Sequence, residues 1–302
     1  MSEISSSPAV RASWRDFYEM CKPRVVMLMI LTSLVGMLLA VPGVVGWEGV
    51  LGVLVAGNVG IALVAASGAV VNHLIDRRID LVMKRTRNRP LAQGRVEPYQ
   101  AVAFAVVLCG VGVGVLLYWV NPLCAWLTLG SFVGYAFVYT GYLKHATPQN
   151  IVIGGLSGAM PPLLGWSAVS GSIEADALIL VLIIFAWTPP HFWALAIHRK
   201  DEYAKSGVPM LPVTHGEYVT KVHIMVYTVA LVVASVLPFL SGLSGWLYLV
   251  VALVLGVGFL GWALRLMFWA GATTAMDTFR YSIVYLGVLF LGLLLDHYLV
   301  VL

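Results

Sequence analysis

Residues 60–95 read GIALVAASGAVVNHLIDRRIDLVMKRTRNRPLAQGR. The first twelve are small or apolar, and the apolar character runs back to residue 51. The remaining twenty-four carry Asp76, Asp80 and seven of the chain's eighteen Lys and Arg residues. An apolar run of about 20 residues crosses a hydrocarbon layer of about 30 Å as a helix. The stretch therefore reads as a membrane span that ends in a dense band of charge.

The rest of the chain follows the same pattern. It has 302 residues, 60% hydrophobic and 11% charged, with a mean hydropathy of +0.92. Soluble domains carry about 25% charged residues, and the polar faces at helical spacing that a large soluble helical protein needs are missing. Nine apolar runs predict nine transmembrane helices, near 24–42, 51–71, 99–119, 123–142, 150–170, 177–197, 222–241, 245–264 and 280–300. The expected fold is an all-α integral membrane protein formed as one domain over 1–302, with a polar segment at 1–22. That segment lacks the basic start, short apolar core and cleavage site of a secretory signal, so the first span is expected to stay in the membrane. Cys21, Cys109 and Cys124 have no metal-ligand spacing and read as small apolar fillers.

Every Lys and Arg falls before span one or in alternate loops: 72–95, near 144, 199–221 and 265–280. The opposite loops hold only Glu48, Glu174 and Asp176. Cytoplasmic loops carry the basic excess, so the N-terminus is expected inside and the C-terminus outside.

Charge bias alone does not explain the order within 72–95. Asn72, Asp76 and Asp80 are spaced i, i+4, i+8, which on a helix makes one stripe of oxygen groups. Such a stripe suits a hard cation such as Mg²⁺, held by one or two carboxylates plus substrate phosphates. A solvated helix end, its carboxylates paired to nearby arginines, is the plain alternative. Lys84, Arg85, Arg87 and Arg89 follow within a turn or two, and Arg forks and Lys point charges both match phosphate oxygens. Pro90 then stops the helix.

A second polar cluster ends span six, in TPPHFWALAIHRKDEYAKSGVPMLPV. It holds His191 and His198 on one face, then Arg199, Lys200, Asp201 and Glu202, with Pro189 and Pro190 inside the span. Four spans separate the clusters, so both should emerge on the same side, as in a parallel internal repeat. A third piece, YTGYLKHATPQNIVIGGLSGAMPPLLGW, brings Tyr139, Tyr142 and Lys144 to that face. Its Gly154, Gly155 and Gly158 suit either close helix packing or a slot for a flat ligand.

The motif NxxxDxxxD, followed by a basic run ending RPL, resembles the UbiA superfamily of intramembrane prenyltransferases. Within that superfamily, the third piece together with PHFWALAI and DEYAKSGVPMLPV resembles the branch that farnesylates haem B. The resemblance runs from about residue 20 to the last span. It implies nine helices around a central cavity opening to the membrane, in a bacterial inner membrane. It also implies Mg²⁺ as cofactor, farnesyl diphosphate and haem B as substrates, and haem O as product, with haem A synthase or terminal-oxidase assembly as downstream partners and no role for nucleic acid. Asn72, Asp76, Asp80 and Asp201 are then the expected metal ligands, and with Lys144 the catalytic set. Lys84, Arg85, Arg87, Arg89, Tyr139, Tyr142, His191, His198, Arg199 and Lys200 are the expected substrate contacts. Many superfamily members carry a second DxxxD near the sixth helix; here histidines and a single Asp–Glu pair stand there. His191 or His198 could ligate haem iron or hydrogen-bond a propionate; Trp187 and Trp193 are large enough to line a tetrapyrrole pocket, but packing against lipid or neighbouring helices is the plainer role. His73 points about 100° from the stripe, and His145, His215, His223 and His297 read as interface residues. Asp296 is expected at the outer interface. A different aromatic or tetrapyrrole acceptor, and a transporter of an anionic lipid or metabolite, remain open.

Overall fold

A computed structural model of the chain describes residues 12–41 and 47–299. Among the described residues all regular structure is helical. The helices are α1 (Trp14–Met20), α2 (Pro23–Leu39), α3 (Trp47–Asp80), α4 (Pro98–Trp119) and α5 (Pro122–Val133), which continues as a π-helix (Gly134–Leu143) into α6 (Lys144–Ala146). There follow α7 (Asn150–Ala159), α8 (Pro161–Ser170), α9 (Ala175–His198), α10 (Lys200–Lys205), α11 (Leu211–Thr214), α12 (Gly216–Leu240), α13 (Trp246–Phe268) and α14 (Thr274–Leu299). Glu48 and part of the loop before it lie outside what the structure describes of side chains, as does Arg11.

Eight of these segments are long and apolar enough to span a bilayer: α3, α4, α5–α6, α7–α8, α9, α12, α13 and α14. The pair α1–α2, bent by 50° at Cys21–Lys22, passes the same test only when its two helices are taken together, as a broken span or a re-entrant loop. Among the described residues the spans number eight, or the expected nine when the bent pair counts as one, and the chain is a multi-pass membrane protein. Proline punctuates them: Pro23, Pro98, Pro122 and Pro161 each sit in a first turn, where the missing N–H is no loss.

Small residues set the closest contacts. Gly36 of α2 lies against the Pro162 carbonyl of α8, and Gly165 of α8 lies against the Ser33 carbonyl of α2; any Cβ at either glycine would strike backbone. Without a hydrophobic drive between helices in lipid, such close approach is what holds them. Neighbouring spans form a ring that closes where α14 meets α2: Tyr298 Oη donates to the Leu38 carbonyl at 2.7 Å, and a His297 nitrogen lies 3.2 Å from the Val41 carbonyl.

Asp296 departs from the expectation. It is 1% exposed, and its carboxylate accepts from the backbone N–H groups of Gly245 and of Tyr248, the latter at 3.1 Å. A carboxylate so placed satisfies orphan donors at the start of α13 and complements its dipole. Trp193 is fully buried between His223 and Tyr227, ring edges to faces, and so packs the core instead of lining a pocket.

Candidate active site

Helix α3 runs nine residues past its apolar stretch and carries Asn72, Asp76 and Asp80 with it as one inward stripe. They are 5%, 2% and 3% exposed. Asn72 Nδ2 donates to Asp76 Oδ2 at 2.8 Å and also lies 3.2 Å from Thr140 Oγ1.

Three cations meet the stripe from three parts of the chain. Lys22, at the α1–α2 bend, donates to Asn72 Oδ1. Lys144 donates to Asp76 Oδ2 at 2.6 Å. Arg89, folded back from the loop after α3, puts one nitrogen 2.8 Å from both oxygens of Asp80. Lys144 and Arg89 balance the two carboxylates, and Lys22 adds a third basic group, an arrangement that suits an anionic ligand.

Local structure explains the reach of Lys144. The π-helix Gly134–Leu143 is wider than an α-helix, and such segments recur at functional sites. It aims Thr140 and Tyr135 at the stripe and stacks Tyr135 on Tyr139 with centroids 5.9 Å apart. The Tyr139 ring lies over Gly154, where a Cβ would collide with it. Gly155 faces the Thr188 side chain at 3.0 Å from where its Cβ would be. Two of the three expected close-approach glycines therefore serve packing.

Beside the cluster lies a cleft of about 570 Å³ lined by Lys84, Arg85, His198, Arg199, Asp201 and Glu202. It joins the loop after α3 to the end of α9, so those two helices do emerge on one face. Tyr139 links cleft and cluster, standing within electrostatic reach of Asp76, Arg85 and Tyr203. Tyr203 is buried behind the cleft, and burial raises its hydroxyl pKa above the usual value, so it stays a neutral donor.

Several expected contacts lie elsewhere. Arg87 is exposed, and Tyr142 is 67% exposed. Lys200 pairs with Glu217 at 3.2 Å and does not line the cleft. Asp201 lines the cleft but is exposed. His191 is buried two helical turns inside, away from the cleft lining. Lys22 was missed by sequence reasoning, because nothing in its spacing ties it to a helix 50 residues on.

Do these groups fit Mg²⁺? Among the described residues no three His, Cys, Asp or Glu side chains converge as a ready-made metal cage. Two buried carboxylate oxygens, however, have no hydrogen-bond partner: Asp76 Oδ1 and Glu202 Oε2. A buried charge-bearing oxygen without a partner is costly. Hard, unpaired oxygens few in number fit a cation that brings its own water and phosphate ligands.

The profile of the UbiA prenyltransferase family matches residues 29–297. The chain belongs to this family. Among curated UbiA relatives, the protoheme IX farnesyltransferase of Hahella chejuensis is 59% identical over 295 residues, covering 98% of this chain and 97% of its own. That of Marinobacter nauticus is 62% identical over 289 residues, covering 96% and 94%. Solved UbiA folds superpose at lower identity. A structure of digeranylgeranylglyceryl phosphate synthase gives a TM-score of 0.78 at 18% identity, over 94% of this chain and 98% of that one. An Archaeoglobus fulgidus UbiA homologue bound to GPP and Mg²⁺ gives 0.63 at 15% identity, over 92% and 99%. Both likenesses show the fold that this chain shares with them.

Proposed function

We propose that this chain transfers the farnesyl group of farnesyl diphosphate to a vinyl group of protohaem IX (haem B), with addition of water, giving haem O and diphosphate. The donor and acceptor are supported by relatives about 60% identical over nearly the full length, all of them protoheme IX farnesyltransferases. The observation that carries the site is the buried stripe Asn72–Asp76–Asp80 beside a cation-lined cleft.

In this reading Asn72, Asp76 and Asp80 hold Mg²⁺, and Asp201 or Glu202 contributes from the far wall of the cleft. The A. fulgidus homologue bound to GPP and Mg²⁺ supports the pairing of metal and prenyl diphosphate. When bound, the metal neutralises charge on the diphosphate leaving group. Lys84, Arg85 and Arg199 take the outer phosphate oxygens as charge-assisted partners. Lys144 and Arg89, now paired with the carboxylates, stand ready to turn to phosphate as the ligand arrives. The electron-poor allylic fragment is kept from bulk water by the apolar interior between the helices. The single domain sits in a bacterial inner membrane with its N-terminus and both polar clusters in the cytoplasm, an orientation supported by the placement of every Lys and Arg.

The test is direct. Protein reconstituted in lipid nanodiscs and given farnesyl diphosphate, Mg²⁺ and haem B should yield haem O by chromatography and mass spectrometry. Prenylation of an aromatic acid with haem left untouched would overturn the acceptor.

A further inference from the structure

His191 lies on α9 two turns inside the cleft, about 10 Å below His198 by helical rise. Its ring is stacked between Trp187, with centroids 4.2 Å apart and planes at 21°, and Phe279, at 4.5 Å and 29°. Phe192 meets it edge-on at 5.2 Å. The ring is thus fixed on both faces. Its Nδ1 lies 2.7 Å from Ser282 Oγ on α14.

The protonation pattern follows from Ser282. A serine hydroxyl has one proton, and Ser282 Oγ donates it to the Phe279 carbonyl at 2.6 Å. Toward His191 the oxygen can only accept, so His191 Nδ1 is the donor. In the neutral imidazole this leaves the lone pair on Nε2. Among the described residues Nε2 has no hydrogen-bond partner, yet it is not one of the buried unpartnered atoms. Nε2 therefore keeps a little exposure and an unused lone pair. A histidine whose Nδ1–H is held by a neighbour and whose Nε2 is free is the arrangement that protein metal ligands adopt. The Trp187 indole N–H donates to the Ser282 carbonyl at 2.7 Å, so the serine that orients His191 is itself pinned.

We propose that His191 Nε2 is the axial ligand to the iron of the haem substrate, and that Ser282 sets its tautomer and direction. This rests on the haem-farnesylating reading above. The iron–nitrogen bond fixes the plane of the tetrapyrrole from its centre and leaves the vinyl-bearing rim free. His198, exposed at the cleft, serves the polar mouth instead.

The experiment is a titration of the full-length protein in nanodiscs with haem B, without farnesyl diphosphate, followed by Soret absorption and by electron paramagnetic resonance of the ferric form. The wild type should give a saturable histidine-ligated spectrum. His191→Ala should lose that signature and weaken binding at least about tenfold, and added imidazole should restore the spectrum. Ser282→Ala should retain a bound haem with a shifted spectrum, because ligation persists while the tautomer is no longer fixed. Thermal melting and gel filtration verify that each variant is folded, and His191→Gln serves if the alanine variant is not. A wild-type spectrum in folded His191→Ala or His191→Gln, or loss of the signature only in His198→Ala, overturns the proposal. If haem O still forms in either case, the farnesyl-transfer reading survives; if the wild type neither binds nor converts haem, that reading fails first.

Discussion

Lys144 Nζ donates to Asp76 Oδ2 at 2.6 Å, joining residues 68 positions apart, with side chains only 17% and 3% exposed. Removing one member of a buried pair strands the other charge, at a cost of about 3–5 kcal/mol. Lys144→Ala should therefore lower the thermal stability of the detergent-solubilised protein markedly. The double variant Asp76→Ala/Lys144→Ala should lose less than the two single losses added together. Additive losses in a thermal-melt cycle would mean the pair is not coupled.

Asp76 also offers the free oxygen on which the proposed metal site depends. Asp76→Asn keeps the shape and one hydrogen-bonding oxygen but removes the charge. Turnover should fall by about 10²–10³, the range seen when one preorganised electrostatic group is lost. Haem O production per membrane-inserted molecule measures it, and undiminished turnover would remove the stripe from the chemistry.

Chelation gives a complementary check. Stripping divalent cations with EDTA should abolish haem O formation, and Mg²⁺ should restore it. The haem absorption spectrum should not change in the same samples, because His191 is held by Trp187, Phe279 and Ser282 and not by the stripe. Activity that persists after exhaustive chelation would count against a metal at Asp76 and Asp80.

In the cleft, Arg85→Ala removes a cation that lines the wall and lies within reach of Tyr139. A hydrogen bond to a charged group contributes about 1.5–3 kcal/mol, so the KM for farnesyl diphosphate should rise about tenfold or more. The KM for haem B should hold steady. Equal increases in both would place Arg85 in the fold, not at the diphosphate.

Gly154→Ala tests the positioning of Tyr139. The new methyl would meet the tyrosine ring, and overpacking of this kind costs about 1–3 kcal/mol. The outcome expected is reduced turnover that Gly154→Ala/Tyr139→Leu does not worsen, since the second change removes the clash. Steady-state kinetics on the pair decide it.

The acidic stripe was legible in the sequence because it lies on one helix, where spacing alone aligns Asn72, Asp76 and Asp80. The span count was legible for the same reason: apolar length is a local property. What pairs with the stripe was not. Lys22, Lys144 and Arg89 reach it from three separate segments, and only the packing of α1–α2, the π-helix and the returning loop brings them there. The basic run itself misleads, since alternate residues face apart: Arg89 meets Asp80 while Arg87, two positions earlier, stands in solvent. Asp296 looked like an interface residue because the α13 backbone donors it caps lie about 50 positions away. Ser282, 91 residues from His191, gave no signal at all in the chain.

The broad helical segment Gly134–Leu143 works as a vernier between membrane packing and the site. Upstream of it, α5 is seated by Asn121, which caps its start and reaches the Ser167 carbonyl at 2.8 Å; downstream, Lys144 must face Asp76. Deleting one residue there would turn everything beyond it by up to about 100° about the helix axis, less whatever the segment recovers by tightening. Insertion into the bilayer would survive such a deletion, and the ammonium would point away from its carboxylate.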